Sequence, residues 1–201
     1  MPSDGAGPVA RQGYAVIAPR TGGAPHSMAI LQRRYGDVLA SESLVEGSHS
    51  TEAQFGIDLR PTLVRHGDMD THLIVVNPNA ETATVDFRLA GQASIRRIVA
   101  PGEQVIVSVR AELGEDVYGV LELSSSLSVT VTARQSVTNI RAELIESELP
   151  ALAAESIFPY VPNGGGLSTE FRFANRSAES IDGYLEFMLP DGEPANGTIL
   201  R

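Results

Sequence analysis

The chain has 201 residues, 42% hydrophobic and 20% charged, a globular balance that excludes a solvated, disordered segment. Its formal charge of -10 leaves no basic footprint for displacing phosphate counterions, so nucleic acid and anionic membrane surfaces are excluded as partners. With no cysteine there are no disulfides, thiolate nucleophiles or sulfur-ligated zinc.

Residues 1–13 are small, polar and rich in glycine and proline, and read as a flexible lead-in. They have neither the basic region nor the apolar core of a secretory signal. No apolar run approaches the roughly 20 residues that cross a bilayer, so no membrane insertion is expected. From Tyr14 onward, short β-rich runs are separated by turn residues about every 8–12 positions, the punctuation of a β-sandwich.

Gln54 to Leu59 alternates apolar and polar and closes at Arg60-Pro61. His72 to Val76 is a more continuous apolar run, as in a strand at the middle of a sheet. It stops at Asn77-Pro78-Asn79, a turn signal because proline fixes φ and asparagine tolerates the left-handed region. Thr82 to Leu89 alternates again, with Ala83, Val85, Phe87 and Leu89 on one face. Ser94 to Val99 follows, then the turn Ala100-Pro101-Gly102-Glu103 and a strand over Val105 to Val109. Val117 to Leu123 and Leu127 to Arg134 read as two strands joined by a polar turn at Ser124-Ser125-Ser126. Ile140 to Leu149 has a helical texture too brief for a helix, ended by Pro150. Strand patterns resume at Ile157, Thr169 to Ala174 and Gly183 to Leu189, with a hairpin signal at Asp191-Gly192.

The text also repeats itself. Tyr14-Ala15-Val16-Ile17-Ala18 returns as Tyr118-Gly119-Val120-Leu121-Glu122, and Ile30 and Arg33 return as Val131 and Arg134. Thr71-His72-Leu73-Ile74-Val75-Val76-Asn77 returns as Thr169-Glu170-Phe171-Arg172-Phe173-Ala174-Asn175. The offsets, about 97 to 105 residues, match one small β-sandwich module. The expected fold is all-β, with antiparallel Ig-like sandwich modules in tandem, cut out of phase with the termini. Residues 14–50 supply the last strands of one module, 51–150 a complete module, and 151–201 the first strands of another. That phase leads us to expect a piece of a longer repeat protein, in which 151–201 pairs with 14–50 or with another copy.

Phe158-Pro159-Tyr160-Val161, Gly164-Gly165-Gly166, Ser168-Thr169-Glu170-Phe171, Ala174-Asn175, Gly183-Tyr184-Leu185-Glu186-Phe187 and Asp191-Gly192 carry a resemblance. Together they resemble the tandem Ig-like β-sandwich repeat of long bacterial exported and cell-surface proteins. The resemblance implies an exported or surface location and a spacer, stalk or adhesive role, and carries over no catalytic residue. The copy at His66-Gly67-Asp68 departs from it where Gly164-Gly165-Gly166 stands later.

His66, Asp68, Asp70 and His72 are the best candidates for site chemistry. At a spacing of two they project from one face of an extended segment, as metal ligands would. The competing and preferred reading is a solvated turn in which Asp68 and Asp70 cap backbone groups. His26, His49, His66 and His72 stand beside no G-x-S-x-G elbow, and Asn163-Gly164-Gly165-Gly166 lacks the lysine of a phosphate cradle. Tyr14 and Tyr118 read as structural residues whose hydroxyls pin a neighbouring loop.

The expectation is a non-catalytic structural or interaction module with no cofactor. Its partners are neighbouring modules, another copy, other proteins or glycans. The alternative is a carbohydrate- or small-ligand-binding sandwich, with a cation at Asp68 and Asp70 and with Tyr160, Tyr184 or Phe171 exposed as stacking faces.

Overall fold

The computed structural model describes residues 14, 29–35, 38–45, 48–60, 69–92, 94–138, 144–149 and 151–152. The chain divides into two compact units, Met1–Pro159 and Tyr160–Arg201, and every described residue lies in the first. The strands expected after Ile157, and their pairing with residues 14–50, lie outside the described residues.

The described residues are mostly β-strand. β1 (Ala29–Tyr35) and β2 (Val38–Val45) form an antiparallel two-stranded sheet. β3 (Ser48–Asp58), β4 (Met69–Val76), β5 (Ala83–Leu89), β6 (Ile95–Val99) and β7 (Gln104–Ser108) follow. The short helix α1 (Val109–Leu113) then leads to β8 (Tyr118–Thr138) and β9 (Leu144–Leu149). β3 to β9 build one antiparallel sheet whose main path runs β6-β5-β8-β4-β7, with β3 and β9 also on β8. The sheet curls almost into a barrel.

The curl comes from β8. This 21-residue strand was expected as two strands joined by a turn at Ser124-Ser125-Ser126; instead it is continuous. Its first half pairs with β3 and β5, reaching Ser125 opposite Val85. Its second half takes β4 from Thr130 onward and β9 from Ala133. β5 and β4 thus lie in succession along one side of β8. On the β3 side, Ser125 to Ser128 face only Thr51, because β3 pairs Glu52 with Ser124 and Ser50 with Val129. The serine run bends the strand without ending it. Ser126 Oγ accepts from Thr84 N at 2.9 Å, and Ser125 Oγ accepts from Leu127 N at 3.4 Å. The hydroxyls satisfy amides where the ladder opens, which is the chemistry that made the run read as a turn.

The inner face of the curl is the core. Ala83, Val85, Phe87 and Leu89 of β5 are all buried, on one face as their alternation requires. They meet Leu73 and Val75 of β4, Leu121, Leu123, Val129 and Val131 of β8, and Phe55 and Ile57 of β3 in one apolar cluster. Asp86 and Arg96 pair across β5 and β6 on the outer face, at 2.7 Å. Hydrogen bonding from Arg96 holds the Asp86 carboxyl below its ordinary range.

Two further elements differ from the expectation. Val109 was expected to end a strand, and it opens α1 because Ser108 caps the helix, accepting from Ala111 N at 3.0 Å. The segment with helical texture forms β9, whose Leu144 to Leu149 register against Thr138 to Ala133. The strong turns stand as expected. In Ala100-Pro101-Gly102-Glu103 the Glu103 N donates to Ala100 O at 3.0 Å and Gly102 has φ 70°, the sign required at the third position of a type II turn.

Candidate functional site

β4 carries Asp70 and His72 two positions apart, so both project from its outer face, and His72 Nε2 lies 3.3 Å from Asp70 Oδ2. His66 and Asp68 lie outside the described residues, as do Tyr160, Tyr184, Phe171, His26 and the triple glycine. The structure therefore shows half of the predicted cluster, and in it the carboxylate is engaged by the protein itself. Asp70 Oδ1 accepts from Thr71 N at 2.7 Å and Arg110 N at 3.0 Å, while Oδ2 accepts from Ser108 Oγ at 2.5 Å. Asp70 and Ser108 together satisfy the first amides of α1, donors that a helix cannot satisfy internally.

Ser108, Asp70 and His72 are the residue types of a nucleophilic triad in a different arrangement. A triad needs the serine proton to pass to the imidazole, with the carboxylate on the far side of the ring. Here the Ser108 hydroxyl donates to the carboxylate and accepts from a helix amide, so it is held as a cap. Among the described residues no group of three or more histidines, aspartates and glutamates is placed to hold a metal ion.

The polar face continues across the sheet. Ser108, His72, Arg134 and Glu148 stand opposite one another on β7, β4, β8 and β9. Arg134 Nη1 lies 3.4 Å from Glu146 Oε1, and Thr132 Oγ1 donates to Glu148 Oε1 at 2.7 Å. Oppositely charged neighbours across strands stabilise a sheet modestly. Their alternation here leaves no concentrated charge of one sign.

Beside this face, Thr71 points inward and is fully buried, and its Oγ1 has no hydrogen-bond partner. Burying a lone hydroxyl costs free energy that an apolar isostere avoids. Thr71→Val is expected to raise stability by roughly 1 kcal/mol, read from the urea midpoint at constant m.

A stronger polar constellation centres on Asn77, where the sequence pattern indicates only a turn. Asn77 is fully buried at the end of β4. Its Nδ2 donates to Glu81 O at 2.7 Å and Val99 O at 2.9 Å. Its Oδ1 accepts from Asn79 N at 3.0 Å and Asn79 Nδ2 at 2.8 Å. Asn79 Nδ2 donates onward to Ser128 O at 2.7 Å, and the Asn77 backbone exchanges bonds with Glu103 and Gly102. One side chain thereby ties together the ends of β4 and β6, the start of β5 and the bend in β8. The signal in the sequence was the return of Asn77 as Asn175.

The two tyrosines divide. Tyr14 OH donates to Gly102 O at 2.8 Å and so pins the turn between β6 and β7, as expected. The Tyr118 ring is instead exposed and lies 3.7 Å beneath the Arg60 guanidinium. Arg60 is itself held by both oxygens of the buried Asp58, at 3.1 and 3.0 Å. One ring face of Tyr118 is thus covered by a cation, a favourable stacking in its own right.

The chain matches no family model, no curated protein and no solved structure.

Proposed function

We propose that the chain is a non-catalytic, tandem β-module of an exported repeat protein, serving as a spacer, stalk or adhesive unit. One observation carries this reading. At a constant offset of 98 positions, residues 157–187 repeat the pattern of 59–89 without a gap. Where the described copy buries Leu59, Met69, Leu73 and Val75, the second has Ile157, Leu167, Phe171 and Phe173. Where it buries Ala83, Val85, Phe87 and Leu89, the second has Ile181, Gly183, Leu185 and Phe187. The outward positions Thr84, Asp86 and Arg88 are matched by Asp182, Tyr184 and Glu186. Asn175, Ala178 and Glu179 stand where Asn77, Ala80 and Glu81 make the buried turn. Only the residues of the fold recur. His72 is replaced by Glu170 and His66 by Gly164, so the chemistry-bearing residues do not.

Repetition of core and hub without repetition of a site is the pattern of a module selected for its shape and its contacts with other modules. Thermal unfolding in the presence of Ca²⁺, Zn²⁺ and a glycan panel tests the reading. The melting temperature is expected to stay unchanged, because a ligand that binds only the folded chain must raise it. A rise of several degrees with any one of them would replace the structural reading with a ligand-binding one.

A further inference from the structure

The pair β1–β2 has a counterpart in the molecule, the end of β8 with β9. Leu39 and Leu44 of β2 return as Leu144 and Leu149 of β9, each 105 positions later. Their antiparallel partners return as well. Leu39 stands opposite Arg34 and Leu144 opposite Thr138, while Leu44 stands opposite Ile30 and Leu149 opposite Ala133. From Arg34 to Thr138 is 104 positions and from Ile30 to Ala133 is 103, so strand register recurs along with sequence. Tyr14 opens this stretch 104 positions before Tyr118 opens β8. Residues 14–45 are therefore the counterpart of 118–149, the closing segment of the module, and they precede a module that has a closing segment of its own.

Two contacts join the extra segment to the module. β2 lies against β9, its own counterpart. Tyr14 OH donates to Gly102 O across 88 positions of sequence. A Cβ at Gly102 would lie 3.5 Å from that hydroxyl, so the phenol rests on the turn itself. The turn in its place is bonded to the Asn77 hub. Gly102 N donates to Asn77 O at 2.8 Å, and Asn77 N donates to Glu103 O at 3.0 Å. The Tyr14 hydroxyl thus reaches, through one residue, the buried side chain that gathers Glu81 and Val99.

We propose, on the tandem reading above, that the turn Ala100–Glu103 is the seat on which a module receives the closing segment of the repeat before it. Tyr14 is the residue the seat takes, and the Asn77 hub is what the contact couples to. The acceptor is a main-chain carbonyl, so what selects the occupant is a hydroxyl donor on a ring of the right reach. The closing segment of one repeat meets the turn of another, which joins unlike surfaces head to tail and lets repeats add in series. Tyr118 puts the same phenol on the module's own closing segment, where it is 58% exposed.

Tyr14→Phe removes the donor and keeps the ring. Amide exchange in the full chain is expected to speed about tenfold across β1 and β2 and at Gly102 and Glu103, with β5 unchanged. Coupling between two sites is reciprocal, so loosening the seat must also release the segment. Glu103→Ala removes the carboxylate that accepts from Ala100 N at 2.6 Å, and should speed exchange in β1 and β2 in the same way. Tyr118→Phe should leave β1 and β2 at the wild-type rate. Faster exchange at the turn alone would make Tyr14 a local pin and overturn the proposal, as would no change in either place. Equal loosening of β1 and β2 by Tyr118→Phe would overturn the choice of Tyr14. The tandem reading is judged on Asn175→Ala, which alters neither Tyr14 nor the turn, so a failure there is told apart from a failure of the seat.

Discussion

Phe87→Ala is expected to cost about 4 kcal/mol of folding stability, a large part of the 5–15 kcal/mol typical of a domain. Phe87 is 1% exposed on the inner face of β5, the largest fully buried side chain among the described residues. It registers with Ile95 on β6 and Leu123 on β8, so its ring fills the core where three strands meet. Truncation removes its apolar area from the interior and leaves a cavity. The surrounding strands cannot close that cavity, because their register is set by backbone bonds on both sides of β5. Phe87→Leu keeps most of the volume and is expected to cost about 1 kcal/mol. Leucine is the residue at the matching position, Leu185, where its partner two positions on is Phe187 in place of Leu89. Urea unfolding followed by circular dichroism measures both. A Phe87→Ala chain within about 1 kcal/mol of wild type would mean that the inner face of β5 is not the core.

The alternation of Thr82 to Leu89 was enough to identify β5 and its buried face, since burial of one face with a period of two is a local pattern. The turns at Asn77-Pro78 and Pro101-Gly102 were legible for the same reason, because the backbone geometry they need is encoded in the residues themselves. What escaped was set by partners far away in sequence. Ser108 ends β7 and opens α1 because Asp70, 38 positions earlier, shares the capping of the helix. Without that partner, Val105 to Val109 reads as an unbroken strand. The serines of β8 carry turn chemistry, and only the departure of β5 and arrival of β4 shows that they bend a continuous strand. The candidate site was legible in part. Period two correctly placed Asp70 and His72 side by side, but the lone pairs of Asp70 go to α1, which no local pattern announces. Asn77 lay in plain view as a turn residue. Its reach to Val99, 22 positions on, became visible only once β5 and β6 were placed.

Asn77→Ala is expected to cost about 3 kcal/mol, because it strands several buried groups at once. Val99 O and Glu81 O lose their donor, and Asn79 loses the acceptor that aims it at Ser128. Restoring size alone does not help. Asn77→Asp keeps the acceptor for Asn79 but turns an oxygen toward two carbonyl oxygens, so the ionised form is opposed by both desolvation and repulsion. The folded state of that variant therefore binds a proton more tightly than the unfolded chain does, and stability rises as pH falls. Asn77→Asp should be as damaging as Asn77→Ala at neutral pH and recover part of the loss below about pH 5, where a protonated carboxyl can donate to one of the carbonyls. Asn77→Ala should show no such recovery relative to wild type. Equal losses at both pH values would assign the hub's contribution to packing and not to its donor. The same experiment reaches the tandem reading through Asn175. If residues 157–187 rebuild the unit formed by 59–89, Asn175→Ala removes a second hub and lowers stability by a similar amount. A loss at Asn77 with none at Asn175 would leave the hub in place and remove the tandem module.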